Sequence, residues 1–379
     1  MPFCCRLCHA AIDEDQAVKI GPFPQAAQYY PTPEEFATEQ GTILNVVECD
    51  GCGLTQLTNE PVDYFRQVIT AASLSPAIRE QRLAAFSELR KHFPESARPT
   101  ALEIGCGNGD NLPLLREVGF HAMGLECHPD LPQGQTDANG VTNQYLLDLD
   151  DSHSGRYDLL TSFNYLEHQP DSRAFLLKCN ALLSPGGWLL LTVPNLDYLL
   201  SSRSGHEFVA DHLVYFTVNS LETALRITGF QLLDLTIINN QYDIQVLAKK
   251  RERSPIQAAS DEVDHLVNKL NAKLRAFAAA GKTVAIWGAG HRTLALISLA
   301  EHHLIHCIID SAKFKHHKFS PISHLEILPP ETLHDEHCGI DVILVMVPGI
   351  YPAEVVRRIR SMPHAYHAEQ FPEEEPSAR

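Results

Sequence analysis

The sequence predicts an α/β protein, because apolar strands alternate with helical patterns over residues 100–250 and again over 281–365. Each of these two segments opens with an apolar strand that runs directly into closely spaced glycines, in ALEIGCGNGD and in VAIWGAG. Glycine at such a turn lets the backbone bend sharply and approach a ligand closely. We therefore expect two Rossmann-like α/β units, the second smaller than the first.

Composition divides the chain further. Residues 1–61 are rich in Cys, Pro and turn-forming residues, whereas residues 62–96 have apolar positions at helical spacing. The expected segments are an N-terminal segment (1–61), a helical lead-in with the first α/β unit (62–250), a linker and helix (251–280), the second α/β unit (281–365) and an acidic, disordered tail (366–379).

Charge and hydropathy argue against two classes of partner. The chain has 379 residues and a formal net charge of −17, so its average surface repels phosphate backbones. No run approaches ~18 apolar residues, and the N-terminus has no charged-then-apolar signal pattern. We therefore expect a cytoplasmic protein that acts on a small molecule and binds neither nucleic acid nor membrane; the oligomeric state stays open.

The first glycine turn carries a cofactor motif. Glu103, Gly105, Gly107 and Gly109 form E-x-G-x-G-x-G after a strand. About 20 residues further on, the strand HAMGLE ends in Glu126, where a carboxylate is well placed for the two ribose hydroxyls. Taken alone, the motif fits either a nicotinamide cofactor or S-adenosylmethionine (SAM).

The strands that follow the motif distinguish these two cofactors. YDLLTSFNYLEHQPD (157–171) predicts a strand with Asn164 at its tip, and LLSPGGWLLLTVPN (182–195) predicts the next strand after a Pro-Gly-Gly turn. Residues 229–250 predict a closing hairpin, and an antiparallel last strand is foreign to dinucleotide-binding sheets. Residues 100–250 instead resemble the class I SAM-dependent methyltransferases; a non-catalytic α/β domain is the alternative.

That resemblance implies a SAM site on the first α/β unit. Glu103 and the loop 105–109 would hold the methionine portion of SAM, and Glu126 would take the ribose hydroxyls. Asp148, one of three acids in YLLDLDD, would lie near the adenine. Asn164 would lie at the strand tip and face the methyl donor.

Two cysteine pairs lie in the N-terminal segment. CRLC and CDGC place Cys5, Cys8, Cys49 and Cys52 as C-x2-C, a gap of 40 residues, and C-x2-C. In a cytosolic chain this pairing favours a metal over disulfides, and four thiolates make a closed, structural zinc site. Cys4 could replace Cys5 as a ligand, and ordinary reduced cysteines are the alternative to a metal site.

HEFVADHLVYFT, residues 206–217, contains the candidate catalytic residues. Histidine is the side chain whose pKa suits a general base near neutral pH, so His212 is the candidate base. Asp211 beside it and Glu207 one turn away would orient the ring or adjust its pKa. The alternative is that His212 only packs and caps locally.

Nearly all of the chain resembles the zinc-containing, SAM-dependent sugar C-methyltransferases, through CRLC/CDGC, LEIGCGNGD, NYLEHQPD, ADHLVYF and VAIWGAGHRTLA. In that family a histidine deprotonates the carbon beside the ketone of a nucleotide-linked sugar, and the matching residue is His212. The family's glutamate before this histidine is Asp211 here, and its tyrosine two residues further back is Val209. The substrate therefore stays open, with O- or N-methylation of a sugar or small metabolite and a non-catalytic binding or assembly protein as alternatives.

The second glycine turn is incomplete as a dinucleotide motif. Gly288 and Gly290 are followed by Thr293 where the third glycine of G-x-G-x-x-G belongs, although Asp310 ends the next strand at the expected distance. The family resemblance implies that this unit helps to hold the acceptor's nucleotide. Gly288, Gly290, His291 and Asp310 are the candidate substrate-binding residues.

Overall fold

The computed structural model describes residues 3–27, 30–67, 74–127, 131–335 and 337–372. The chain forms two compact units, Met1–Glu252 and Arg253–Arg379, and the boundary between them falls in the polar stretch RERSP. Each unit has its own hydrophobic core.

The first unit contains two sheets and the helices that flank them. Its strands are β1 (Val18–Phe23), β2 (Thr42–Glu48), β3 (Thr55–Leu57), β4 (Thr100–Ile104), β5 (His121–Glu126), β6 (Val141–Asn143), β7 (Tyr157–Phe163), β8 (Leu183–Pro194), β9 (Val214–Tyr215), β10 (Phe230–Ile238) and β11 (Asp243–Lys250). Its helices are α1 (Pro76–Arg90), α2 (Leu112–Glu117), α3 (Ser172–Leu182), α4 (Leu196–Ser201) and α5 (Val218–Ile227).

The main sheet has the strand order β10-β11-β8-β7-β4-β5-β6. All of these strands run parallel except β11, which is antiparallel to both of its neighbours. The predicted closing hairpin is thereby confirmed, and so is the class I SAM-methyltransferase fold. Because the carboxyl ends of β4, β5 and β7 meet at one edge of the sheet, the residues that follow these strands lie together there. We call this edge the carboxyl edge.

A smaller antiparallel sheet joins the N-terminal segment to the same unit. Its order is β1-β2-β3-β9, and β9 begins two residues after His212. Apolar side chains of β2 and β3 pack in one cluster with Phe208 and Tyr215. Strand pairing between such distant parts of the chain leaves no local pattern, which is why residues 1–61 were predicted as a separate segment.

The helical lead-in is shorter than predicted. The pattern over residues 62–96 predicts one or two helices, and α1 occupies the middle of that stretch, with the Ser75 side chain capping its first turn. Residues 62–67 form mostly turns. Residues 68–73 lie outside the described part of the chain.

The second unit is a six-stranded sheet with the order β14-β15-β13-β12-β16-β17. Its strands are β12 (Val284–Trp287), β13 (Ile305–Ile309), β14 (Lys318–Phe319), β15 (Glu326–Leu328), β16 (Val342–Val345) and β17 (His367–Gln370), and its helices are α6 (Ile256–Ala279), α7 (His291–Leu299) and α8 (Tyr351–Arg360). All pairs are parallel except β14 with β15, so the predicted second Rossmann-like unit is confirmed. Over the described ranges of the chain, no helix is long and apolar enough to cross a membrane.

The C-terminal tail begins later than predicted. β17, assigned to the acidic tail from sequence, pairs in parallel with β16 along its whole length. Ala368 and Phe371 are buried, which anchors the strand to the sheet. A strand of four residues with one apolar position is too short and polar to predict from its pattern. Residues 373–379 lie outside the described residues.

Candidate functional site

The first glycine turn follows β4 and requires glycine. Gly105, Gly107 and Gly109 have positive φ angles of 69°, 53° and 79°. A Cβ atom at Gly105 would lie 2.4 Å from the ring of Tyr165, and one at Gly109 would lie 2.8 Å from Val141 Cγ2. Any larger residue at these two positions would therefore move the loop. The predicted cofactor loop is a tight turn at the carboxyl edge.

Glu126 closes this loop from the end of the neighbouring strand β5. Its two carboxylate oxygens accept hydrogen bonds from the backbone N–H groups of Gly107 and Cys127, each at 2.9 Å. The predicted contact of Glu126 with the two ribose hydroxyls stays a prediction. Cys106 packs beneath the loop, because a Cβ atom at Gly124 would lie 2.4 Å from its sulfur.

Glu103 lies near the end of β4 with its side chain buried. One carboxyl oxygen accepts a hydrogen bond from Asn111 Nδ2 at 2.7 Å, and the other has no partner among the described residues. Burial raises the pKa of Glu103 to about 8, because water no longer stabilises its charged form. The glycine cradle and this carboxyl group fit the methionine end of SAM, because the ammonium group there would favour the charged form of Glu103 and pair with it.

Asp148 and Asn164 are both engaged by neighbouring side chains. Asp148 forms an ion pair with Arg66 at 3.6 Å. Asn164 follows β7 with a φ of 49°, accepts a hydrogen bond from Thr192 Oγ1 at 2.5 Å and donates one to Asp243 Oδ1 at 2.8 Å. Asn164 therefore braces the tips of β7, β8 and β11. The predicted contacts of Asp148 with the adenine and of Asn164 with the methyl donor stay predictions.

His212 meets two residues that the sequence did not connect with it. The ring centroids of His168 and His212 are 4.8 Å apart, and the ring planes are nearly perpendicular. Glu167 completes the group, since one polar atom from each of the three residues lies within 4.8 Å of the others. Glu167 and His168 lie in a short 3-10 helix that follows β7. This group, the His212 cluster, therefore forms at the carboxyl edge.

Burial sets the protonation of the His212 cluster. Burial, together with the smaller effect of the neighbouring His168, lowers the pKa of His212 to about 3. It also lowers the pKa of His168, whose Nδ1 donates to the backbone carbonyl of Asp211 at 2.9 Å. It raises the pKa of Glu167 to about 8, so this carboxyl group is largely protonated at neutral pH. His212 consequently has the unprotonated ring that a general base needs.

Asp211 and Glu207 do not orient the His212 ring, which corrects the prediction. The buried Asp211 carboxylate accepts hydrogen bonds from the Tyr64 hydroxyl at 2.5 Å and from the Ala27 N–H at 2.7 Å. The Glu207 side chain is 39% exposed. Neighbouring side chains leave a turn in different directions, so adjacency in sequence did not become contact. Asp211 instead ties the turn that carries His212 to the N-terminal segment.

The four predicted metal ligands converge. The sulfur atoms of Cys5 and Cys52 are 3.6 Å apart, those of Cys8 and Cys49 are 3.5 Å apart, and all four lie within 4.8 Å of one another. Tetrahedral zinc bonds of ~2.3 Å to thiolates imply sulfur–sulfur distances of about 3.8 Å. The four thiols therefore fit a zinc ion. Cys4 is exposed and lies outside the group, which selects Cys5 as the candidate ligand.

The second glycine turn, after β12, is held by hydrogen bonds to Asp310 of the same unit. Asp310 accepts hydrogen bonds from the N–H groups of Ala289 at 2.7 Å and Ala312 at 2.8 Å, and it pairs with Lys315 at 2.9 Å. In dinucleotide-binding domains the corresponding carboxylate binds the ribose. Here the Asp310 oxygens bond to the turn itself, so Asp310 stabilises the turn. Gly288, with a φ of 115°, makes the bend itself.

A crevice of about 600 Å³ opens beside this turn. β12 lies between β13 and β16, so the strand order reverses at β12. Ligands of open α/β sheets bind at such a switch point. His291 and Arg292 at the start of α7 line the crevice together with residues 346–349, which follow β16. Gly290 caps α7 without a side chain, which leaves the helix amino end open.

Two family models match the chain. Residues 78–235 match a methyltransferase domain, and residues 248–364 match a C-methyltransferase C-terminal domain. Among curated relatives, the ubiquinone biosynthesis O-methyltransferase of Methylococcus capsulatus is 29% identical over 153 residues, covering 34% of this chain and 65% of that protein. The one from Hydrogenovibrio crunogenus is 27% identical over 118 residues, covering 29% of this chain and 49% of that protein. The chain thus spans about half to two thirds of the length of these relatives.

A solved structure of a SAM-dependent methyltransferase from Archaeoglobus fulgidus aligns with 45% of this chain and 94% of its own, at 18% identity and a TM-score of 0.34. The two family models and the strand order of the main sheet carry the identification. Residues 78–235 form a class I SAM-dependent methyltransferase domain, and residues 248–364 are similar to a C-methyltransferase C-terminal domain.

Proposed function

We propose that the protein transfers a methyl group from SAM to a carbon atom of a nucleotide-linked keto-sugar, with His212 as the general base. The observation that carries this proposal is the neutral His212 ring, which lies against His168 and Glu167 at the carboxyl edge. Ligands of this fold class bind at that edge, and a general base there has to be unprotonated. The match of residues 248–364 to a C-methyltransferase C-terminal domain supports carbon as the acceptor atom.

SAM supplies a methyl group on a positively charged sulfur, which a carbon nucleophile held in line can accept. His212 takes a proton from the carbon beside the ketone, and the electron pair left behind is shared with the ketone oxygen. His168 donates its Nδ1 proton to a backbone carbonyl, so its Nε2 is the unprotonated ring nitrogen. Burial keeps the neighbouring Glu167 carboxyl group largely protonated, so it adds no negative charge that would raise the pKa of His212.

The same proposal assigns one structural zinc ion to Cys5, Cys8, Cys49 and Cys52. The sulfur–sulfur distances support it, and four thiolates leave no open coordination position for substrate. The ion would hold the N-terminal segment in place, and strand β3 of that segment pairs with β9, which begins two residues after His212. Its role is therefore to position the His212 cluster without taking part in the chemistry.

In the second unit, the crevice beside α7 would bind the nucleotide portion of the acceptor. Its walls offer apolar contact for a base, and the open amino end of α7 with Arg292 offers positive charge for phosphate. Of the predicted residues, His291 lines the crevice, while Gly288, Gly290 and Asp310 shape the turn that precedes it.

Replacing Arg292 by alanine should weaken binding of a nucleoside diphosphate to the full chain about 10-fold, because one charge-assisted contact is lost. Isothermal titration calorimetry measures the dissociation constant. Arg357→Ala is the matched control, since Arg357 lies on α8 of the same unit and bonds within its own helix. Equal weakening in both variants, or none in Arg292→Ala, would contradict a phosphate contact at this crevice.

A second candidate function is O-methylation, because the curated relatives are named O-methyltransferases. A neutral histidine can also deprotonate a hydroxyl group, so the His212 cluster alone does not distinguish the two reactions. The chemical form of the acceptor distinguishes them. With isotope-labelled SAM and a panel of nucleotide-linked sugars, carbon methylation requires the keto form, and reduction of the ketone to an alcohol should abolish labelling. Labelling of the alcohols as well as the ketones would favour O-methylation.

A further inference from the structure

The Glu167 side chain has a buried oxygen to which the proposed reaction gives no role. The residue is 1% exposed, and its Oε2 has no hydrogen-bond partner among the residues that the structure describes. A buried polar atom without a partner destabilises the folded protein, and buried carboxylates are as a rule paired with a cation or bound to a metal ion. Such an atom in a native protein calls for an explanation, and a bound ion is one.

Two imidazole rings lie beside this carboxyl group. One ligand atom from each of Glu167, His168 and His212 lies within 4.8 Å of the other two. Metal bonds of ~2.0–2.2 Å to nitrogen and oxygen place neighbouring donor atoms about 3.0–3.5 Å apart, so a movement of about 1 Å brings the three side chains onto one ion. Both rings are partly exposed, which leaves them room for that movement and gives the ion access from solvent.

The surroundings of His168 are those of a metal-bound histidine. Its Nδ1 lies 2.9 Å from the backbone carbonyl oxygen of Asp211, which can only accept a hydrogen bond, so Nδ1 carries the proton and Nε2 the lone pair. Metal-binding histidines almost always donate their other ring N–H to a carbonyl or carboxylate, which fixes the tautomer and the ring orientation. Hydrogen bonds from Tyr64 and Ala27 to the Asp211 carboxylate hold this partner in place. His168 is therefore oriented before an ion binds.

The backbone also holds the two ligand-bearing segments together. Glu167 and His168 lie in the short 3-10 helix after β7, and His212 lies in the turn before β9. The N–H group of Leu213 donates to the carbonyl oxygen of Glu167 at 2.8 Å, so the two segments are joined directly at the cluster. A site whose ligands are already assembled loses less conformational entropy when it binds an ion.

We propose that Glu167, His168 and His212 bind one divalent transition-metal ion, such as Zn²⁺, Co²⁺ or Ni²⁺, and that the bound ion inhibits methyl transfer. Two imidazoles and one carboxylate suit these ions, whereas Mg²⁺ and Ca²⁺ prefer oxygen ligands. A ligating carboxyl group is ionised, so binding displaces the Glu167 proton.

Inhibition follows from the chemistry of the His212 ring. A neutral imidazole has a single lone pair, which takes either a metal ion or a proton, so the metal-bound ring cannot act as a base. Three ligands with one negative charge bind an ion more weakly than the four thiolates of the cysteine group, so this site fills only when the ion is supplied. The inference goes beyond the proposed function, because it adds a metal-controlled inactive state.

The test uses Co²⁺, because its visible absorption depends on its ligands. The full chain, purified without added metal or chelator, is titrated with Co²⁺ in the absence of SAM and acceptor. Calorimetry gives the dissociation constant, and the spectrum separates nitrogen and oxygen ligands from thiolates, which add strong near-ultraviolet bands. Glu167→Gln and His168→Asn each remove one ligand. His206→Asn is the matched control, since His206 lies 3.9 Å from Glu207 in an exposed pair that precedes His212.

The wild type should bind one Co²⁺ per chain without thiolate bands. Glu167→Gln and His168→Asn, checked for folding by circular dichroism, should weaken this binding more than about 100-fold, because even the loss of an outer partner of a metal ligand costs about 10- to 100-fold. His206→Asn should bind Co²⁺ as the wild type does. Methyl transfer by the wild type should fall in proportion to the Co²⁺ bound and recover on dilution.

Three results would overturn the inference. They are a wild type that binds Co²⁺ only with thiolate bands or not at all, a folded Glu167→Gln that keeps wild-type affinity, and full activity in the Co²⁺-bound wild type. The titration contains neither SAM nor acceptor, so the metal site can fail while the proposed methyl transfer stands, and the two failures are distinguishable.

Discussion

Replacing His212 by alanine should lower the rate of methyl transfer about 10²- to 10⁴-fold, the range expected when a general base is removed. Burial keeps the His212 ring unprotonated, as a general base must be. The affinity for S-adenosylhomocysteine should stay within about twofold, because the glycine loop and Glu126 do not involve His212. Single-turnover rates and calorimetry measure the two quantities.

The pH profile provides a second readout of the same residue. A base must be unprotonated, so activity falls as the pH drops through its pKa. Since burial lowers the pKa of His212, the acid limb of kcat/KM in the wild type should lie below the ordinary histidine value of about 6.5. His206→Ala is the control, because the His206 side chain is 78% exposed. A His212→Ala variant that kept more than about a tenth of wild-type activity would remove the base assignment.

Replacing Cys49 by serine should remove zinc from the protein and unfold the N-terminal sheet. Apparent binding free energies of structural zinc are about 10–16 kcal/mol, which equals or exceeds the ~5–15 kcal/mol stability of a typical folded protein. The wild type, purified without chelator, should therefore contain about one zinc ion per chain by elemental analysis, and Cys49→Ser should contain almost none. Because the zinc-free variant loses this binding energy, the thermal unfolding midpoint of Cys49→Ser should lie below that of the wild type.

We also expect the loss of zinc to disturb the His212 cluster. Gln56 of β3 pairs with Val214 of β9, and the Leu57 N–H donates to the carbonyl of Leu213, next to His212. Methyl transfer should therefore fall with zinc content in Cys49→Ser. Cys4→Ser is the matched control, because Cys4 is exposed and outside the cluster, and it should retain zinc and activity. Substoichiometric zinc in the wild type, or full zinc in Cys49→Ser, would contradict the site.

The parts of the site that the sequence predicts are those that a local pattern encodes. The glycines at 105, 107 and 109 stand out because their turn admits no side chain, and the paired cysteines stand out by their spacing. The closing hairpin over 229–250 has two apolar strands around a polar turn, so it too can be predicted from one continuous segment. These features place the cofactor loop and the candidate zinc ligands before any coordinates are known.

The parts that the sequence misses depend on contacts between distant segments. His168 meets His212, and Tyr64 bonds to Asp211, only because β7, β9 and the N-terminal segment come together in three dimensions. The sequence suggested one wrong contact: Asp211 directly precedes His212, yet its carboxylate accepts a hydrogen bond from the backbone of Ala27 and not from the His212 ring.

The most direct test of carbon methylation is the position of the new methyl group. The full chain is incubated with SAM labelled with carbon-13 in the methyl group and with a nucleotide-linked keto-sugar that accepts label, and the product is examined by carbon–proton NMR. We predict a methyl carbon bonded to the ring carbon beside the ketone, with the proton at that carbon lost and no such product from His212→Ala. A methyl signal on oxygen or nitrogen would contradict carbon methylation.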